Sequence, residues 1–561
     1  MNASIHPFFH HLKYSTIAVI FTAFSACGGG GNGGGGLVPP APAAPTYSYY
    51  TGAPTATSAV GGLFSVSSAS PGAPATVDAS ALATTFQSPT SISRNETLYT
   101  GNTDAASGTI SNYRPYAVVF AANGRLYKQY VDQAPAPVQV SNVTNIGTGP
   151  GDGTASATTN DLCDVTTVPD FANPENSIVI YAQAGANRIC GNTDDVYSWL
   201  RLNTNASTAP ALLTVLPVAP VYSDTGAITN TVAINALGRL VKLDANFGGT
   251  ATTISFGPFI DGEWLGHLSL TRTLLFLRGF GATTGELRIV DTGANSLTGV
   301  LGTITNGALW SKVHAYDSSY VYFVGNDAVG TAAGVIQRFP VSGTAAATTF
   351  LDASTVLGFT AQITDLDHTS NAVVVEGNNG AGSYGIVSAP KNGAAAVIIA
   401  SSTTEGIFLY GVSNTGYVYY DRWPATFSGH RAEAKRDDGT GLVTYGDANG
   451  AEWVGFHYAT AFSAFDSESY YQHLVVAEYA AAATDMAGAT LSVVNPGTAA
   501  KNGTVVGTVP AGIQYLYGAG EGTRALWRGF DGDNEIFYAD TAVAGSLTRV
   551  TTDAVNQQLI Y

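Results

Sequence analysis

From about residue 46 onward the chain alternates between short apolar runs and clusters of Gly, Asn, Asp, Ser and Pro, with no long stretch of helical periodicity. The clearest runs begin at Tyr116 (YAVVF), Ser177 (SIVIY), Val232 (VAINA), Leu274 (LLFLRG) and Tyr320 (YVYFVG). Others begin at Ala372 (AVVVEG), Tyr417 (YVYYDR), Leu474 (LVVAEY) and Ala525 (ALWRG). β-Branched and aromatic residues pack well on a pleated surface, while the residues between the runs favour tight turns, so the pattern predicts strands joined by hairpins.

The runs recur. From residue 116 to residue 525 there are eight steps with a mean of about 51 residues. Each run leads to a second strand and often a third, as in YVYFVG, VIQRFPVSG and ATTFLD, or ALWRGFDG, EIFYAD and SLTRVTT. The early segment GLFSVSSASPGAPATVDAS has the same two-strand shape without its front half, and Gln557 to Tyr561 can supply a strand to complete that sheet. A period within reach of about 40–50 residues per blade predicts an all-β propeller of four-stranded antiparallel blades, eight to ten in number. Strands from both chain ends would close the ring and remove the free edge. This rhythm resembles TolB-like propeller repeats and the propeller lipoprotein of the outer-membrane barrel assembly machinery.

One aromatic detail keeps the period. Trp264 precedes His267, Trp310 precedes His314 and Trp453 precedes His457, with 46 residues between the first two tryptophans and 143 between the last two. Packing between blades, with the imidazole bonded locally, is the expected role; lining a central channel is the alternative.

The first 45 residues follow a different rule. Lys13 and three histidines precede an apolar run from Tyr14 to Phe24, the length of a signal-peptide core and too short to span a bilayer. The run ends in Phe24-Ser25-Ala26-Cys27, which resembles the lipobox of bacterial lipoproteins, with Phe24 standing where Leu is usual. The resemblance implies cleavage before Cys27 and lipid on its thiol, and Gly28 after the cysteine suits delivery to the outer membrane. An ordinary cleaved leader is the alternative. Gly28 to Gly36, glycine except for Asn32, and the Pro-rich stretch after it then form a tether. Nine such residues reach about 15–18 Å. The expected organisation is a leader over 1–26, a lipidated tether over 27–45 and a repeat domain over 46–561, held on the bacterial envelope at the periplasmic or surface face of the outer membrane.

Composition changes the picture in two places. Only 11% of residues are charged, and the net charge of −17 is spread without a basic cluster, so nucleic acid is excluded as a partner. Beyond Cys27, Cys163 and Cys190 remain, and an exported chain would oxidise them to a disulfide worth about 3–4 kcal/mol. Free or metal-binding thiols are the alternative.

Candidate chemistry is thin. No GxSxG, HExxH or GxxxxGK[ST] motif occurs. Gly380, Gly382 and Gly385 spell GxGxxG between two strands, where a hairpin turn is expected, and Asp531-Gly532-Asp533-Asn534 reads as another turn. Asn187, Asn192, Asp194 and Asp195 beside Cys190 are oxygen donors of the kind calcium takes, though a disulfide-stapled turn explains them as well. Asp365, Asp367 and His368 are the densest titratable group, with His314 and Asp317 one repeat earlier. On inner strands these would face a channel and support acid–base work or a metal; at strand ends they cap turns. The function expected is non-catalytic binding or scaffolding, with protein or glycan as partner. The alternatives are a polymer-acting hydrolase or lyase using His314, Asp317, Asp367 and His368, and a purely structural surface role.

Overall fold

A computed structural model describes most of residues 259–551, residues 558–560, and ahead of these the strands of residues 47–255 with a few neighbouring positions. Among the described residues the chain builds ten successive antiparallel units of three to five strands, the last two joined into one eight-stranded sheet. This is a β-propeller architecture. The one helix among the described residues is Ala353–Leu357, started by Asp352, whose carboxylate accepts the Thr355 N–H, and ended by Gly358 at φ 76°.

The later sheets can be followed strand by strand. The fifth opens with Phe259–His267 and Arg272–Gly279, and the sixth runs His314–Tyr316, Tyr320–Asn326, Ala332–Pro340 and Thr348–Asp352. The seventh runs Gln362–His368, Ala372–Asn378, Tyr384–Pro390 and Val397–Ser402. The eighth runs Gly406–Val412, Tyr417–Trp423, Arg431–Arg436 and Val443–Thr444. The ninth opens with Ala451–Thr460 and Ser469–Glu478, and the tenth with Tyr515–Glu521 and Arg524–Phe530. Gly380 and Gly382, both at positive φ, turn the hairpin between the second and third strands of the seventh sheet, as expected.

In the seventh and ninth sheets the runs are apolar on successive positions because both faces are covered. In Ala372–Asn378, Val373 and Val375 enter the core shared with the sixth sheet, whereas Val374 enters the core shared with the eighth. Leu474 and Val476 likewise pack toward the eighth sheet, and Val475 and Ala477 toward the tenth. The period of two survives, but it sorts residues between two neighbours rather than between core and water. Each fully buried Val or Leu contributes about 1.5–3 kcal/mol.

Gln558–Ile560 pairs antiparallel with Tyr49–Thr51, completing the first sheet from near the other end of the chain. Tyr50 and Val66 of that sheet pack against Leu526, Ile536, Tyr538 and Val550 of the tenth.

Candidate functional site

Several leading strands lie beside the next sheet's, among them the sixth beside the seventh and the seventh beside the eighth, and the last two pair directly, Phe456–Tyr458 running parallel to Ala519–Glu521. The leading strands of five sheets carry a register shift: at Leu162/Asp164, Trp264/Gly266, Ile363/Asp365, Leu409/Gly411 and Trp453/Gly455. A bulge takes backbone groups out of the ladder, and they must find partners elsewhere. At Leu265, Leu409 and Trp453 a partner comes from the neighbouring sheet.

His314 is used in this way. An His314 ring nitrogen (Nε2) lies 3.2 Å from the Leu265 carbonyl, at the bulge of the preceding leading strand. His368 Nε2 lies 3.2 Å from the Tyr316 carbonyl, again one sheet back. His368 Nδ1 lies 3.0 Å from the Lys391 ammonium and 3.1 Å from the Thr369 carbonyl. Lys391 also forms an ion pair with Asp317 at 2.8 Å. Burial pushes the Asp317 carboxyl up, but Lys391 and the Tyr320 and Ser319 amides outweigh it and hold the group below the ordinary carboxylate value. The structure thus joins Asp317 of the sixth sheet to His368 of the seventh through a lysine that sequence reasoning did not single out.

It separates His368 from the aspartates beside it. His368 stands opposite Val373 and so faces the sixth sheet; Asp367 stands opposite Val374 and faces the eighth, as does Asp365 opposite Glu376. Asp365 Oδ1 accepts the Leu366 amide at 2.9 Å.

Two buried acids missing from the sequence-based candidates occupy equivalent places on second strands. Glu376 accepts the Thr364 hydroxyl at 2.6 Å and, across the seam, the Leu409 amide at 2.6 Å. Asp421 accepts the Trp453 amide across the next seam at 3.3 Å, and the Trp453 indole donates to the Tyr420 carbonyl at 3.2 Å. Burial pushes the Asp421 carboxyl well above the ordinary range; Glu452 and Glu433 push further, and the Trp453 amide only partly opposes them. On the opposite face of the eighth sheet, toward the seventh, Arg422 bonds Glu433 at 3.0 Å and Glu405 at 3.2 Å and Arg431 bonds Glu405 at 2.8 Å, while His430 bonds Glu452 of the ninth sheet. The His430 ring stacks on Trp423, 5.1 Å between centroids.

Trp453 is the described member of the tryptophan series: 5% exposed, wedged among Tyr410, Tyr419 and Tyr445, as packing between blades requires. Trp264 sits on its leading strand just before the bulge. Cys163 lies where the third sheet's first strand shifts register, between Leu162 and Asp164. The expected lipidation site Cys27, the disulfide partner Cys190 and the calcium candidates Asn187, Asn192, Asp194 and Asp195 lie outside the described residues. Among the described residues no group of three or more His, Cys, Asp or Glu is placed to hold a metal ion.

No protein-family model and no curated protein matches the chain. Solved structures similar to it include a prolyl endopeptidase, at 10% identity and TM-score 0.33 over 66% of this chain, which thus spans 49% of that one. A eukaryotic initiation factor is 9% identical, with TM-score 0.41 over 91% of this chain and 98% of that one. TolB from Acinetobacter baumannii is 9% identical, with TM-score 0.25 over 60% of this chain and 78% of that one. These are weak likenesses of architecture, and none of those proteins' activities transfers to this chain.

Proposed function

We propose that this protein is a lipid-anchored propeller of the bacterial envelope, a binding or scaffold module for a protein or glycan partner rather than a catalyst. One observation carries the reading. The side chains best suited to chemistry in a channel, His314, His368 and Asp317, are each engaged in bonds within or between sheets. Groups held this way stiffen a scaffold; a general acid or base must instead be within reach of a substrate proton. The lipid anchor at Cys27 and the outer-membrane location rest on the lipobox resemblance and the glycine tether.

Two experiments test the reading. Cys27→Ala should move the protein from the membrane fraction to the soluble fraction, and its retention on membranes would end the anchor proposal. Crosslinking in intact cells should capture one envelope partner equally with wild type and with Asp317→Asn. Turnover of an envelope polymer by wild type that Asp317→Asn abolishes would favour the hydrolase or lyase reading instead.

A further inference from the structure

The ninth and tenth sheets meet through backbone as well as side chains. At the inner end Phe456, His457 and Tyr458 pair in parallel with Ala519, Gly520 and Glu521. At the outer end the Gly545 amide donates to the Val505 carbonyl at 2.9 Å, and the Leu547 amide to the Val506 carbonyl at 2.8 Å. Gly507 permits that approach, since a Cβ there would stand 2.6 Å from the Leu547 Cβ. At one rim the Met486 amide donates to the Gln514 carbonyl at 3.2 Å, and the Met486 sulfur accepts the Leu516 amide at 3.0 Å. Val475, Leu491 and Val506 of the ninth sheet share one apolar core with Leu516, Trp527 and Phe537 of the tenth. The eighth–ninth seam is joined differently. Among the described residues a single backbone bond crosses it, from the Ala451 amide to the His430 carbonyl at 2.8 Å. The rest are side-chain bonds, such as those of the Tyr419 and Tyr445 hydroxyls to the Pro496 and Ala499 carbonyls, each 2.6 Å.

We propose that the ninth and tenth sheets open and close as one cooperative body, which parts from the eighth sheet before its two halves part from each other. Separating the halves breaks the inner ladder and the outer bonds and uncovers the core between them. Backbone groups stripped of their partners inside a buried seam carry the full penalty of desolvation. Releasing the outer bonds alone leaves the inner ladder holding the same core shut, and the reverse holds too, so the joins give way together. Parting the ninth sheet from the eighth instead breaks mainly hydroxyl, indole and carboxyl bonds, whose groups turn to water as the seam widens. Local opening in proteins follows such units rather than single strands. This behaviour is independent of what the protein binds.

Methionine supplies a probe inside this body. The sequence holds two, Met1 and Met486, and Met486 is fully buried. Hydrogen peroxide gives one oxygen to the thioether sulfur as its O–O bond breaks, and the remainder leaves as water. Sulfoxide at residue 486, read by mass spectrometry of the full chain, therefore reports each opening that reaches the seam. The same samples are followed by amide exchange in denaturant below the unfolding midpoint. Exchange at Val475 of the ninth sheet, exchange at Trp527 of the tenth and Met486 oxidation should share one opening free energy and one denaturant slope, distinct from those of Val418 in the eighth. Gly507→Ala strains the outer join and should speed all three together by about tenfold, with Val418 unchanged. Leu547→Ala makes the same test from the tenth sheet if Gly507→Ala does not fold. Separate isotherms for Val475 and Trp527, or a variant that loosens one sheet and not the other, would overturn the single body. One isotherm shared by Val418, Val475 and Trp527 would overturn it too, because the eighth sheet would then open with the other two.

Discussion

The seventh–eighth and eighth–ninth seams are built to one plan and behave as different objects. In both, an acid on the second strand of one sheet reaches the backbone of the next leading strand beside its bulge. Glu376 has a separate short-range donor for each oxygen, the Thr364 hydroxyl and the Leu409 amide. Asp421 has one longer bond and two acidic neighbours. Position in the repeat decides that an acid is needed to satisfy the bulge, while the neighbours decide whether that acid is a fixed strut or a titrating group.

The largest effect is expected at the fixed strut. Glu376→Ala leaves the Leu409 amide and the Thr364 hydroxyl without their acceptor inside the seam, which should cost about 2–4 kcal/mol and raise amide exchange along Gly406–Val412. Glu376→Gln restores one acceptor oxygen and should recover part of that loss. If both variants are as stable as wild type in denaturant titration, the strut reading of Glu376 fails.

A smaller effect, of opposite sign, is expected at Asp421. Asp421→Asn should match wild type in acid and exceed it in thermal midpoint as pH rises, since the wild-type acid alone must give up a proton or keep one at a cost. A variant less stable than wild type at every pH would make the two seams alike and remove the distinction.

The sixth–seventh seam gives the mirror case. Asp317, held below its ordinary value mainly by Lys391 against the opposing effect of burial, contributes stability above the unfolded carboxyl range that is lost as pH falls through its folded-state value. Asp317→Asn should therefore cost about 1 kcal/mol near neutral pH and nothing once the wild-type carboxyl is protonated. Thermal midpoints at about pH 7 and about pH 2 check this; an equal loss at both would show that the ion pair is not the source.

The last of these effects is one of shape. A Cβ on Gly302 would stand 2.5 Å from the Phe323 ring, where the fifth and sixth sheets pack. Gly302→Ala should cost about 1–3 kcal/mol with no dependence on pH, a control that separates packing from titration at a seam.

Much of this fold was legible in the sequence because strand runs and turn formers report directly on local geometry. The units were visible in runs such as AVVVEG and YVYYDR, and the strand of Gln558–Ile560 was expected to complete the first sheet. The five-residue helix was not seen, although Asp352 and Gly358 are ordinary start and stop signals, because one turn is too short to show a period. The candidate site was less legible. Asp365, Asp367 and His368 were grouped by closeness along the chain, but alternation sends His368 to one neighbour and the aspartates to the other. Glu376 and Asp421 lay inside the quoted runs, each a lone acid at the fifth place of an otherwise apolar or aromatic stretch, and that repetition was the available signal. The pairing of His430 with Glu452 could not be read, because it depends on how two sheets meet.

The pairing of Tyr49–Thr51 with Gln558–Ile560 also bears on the order in which the molecule is made. Strand Tyr47–Gly52 emerges early in synthesis, yet its second hydrogen-bonding partner follows about 500 residues later. Until then one edge of that strand is open to pairing with any other extended chain. A polypeptide stopped short of residue 558 would keep that edge open however well its other sheets had packed, so a truncated copy is distinguishable by a single unsatisfied strand.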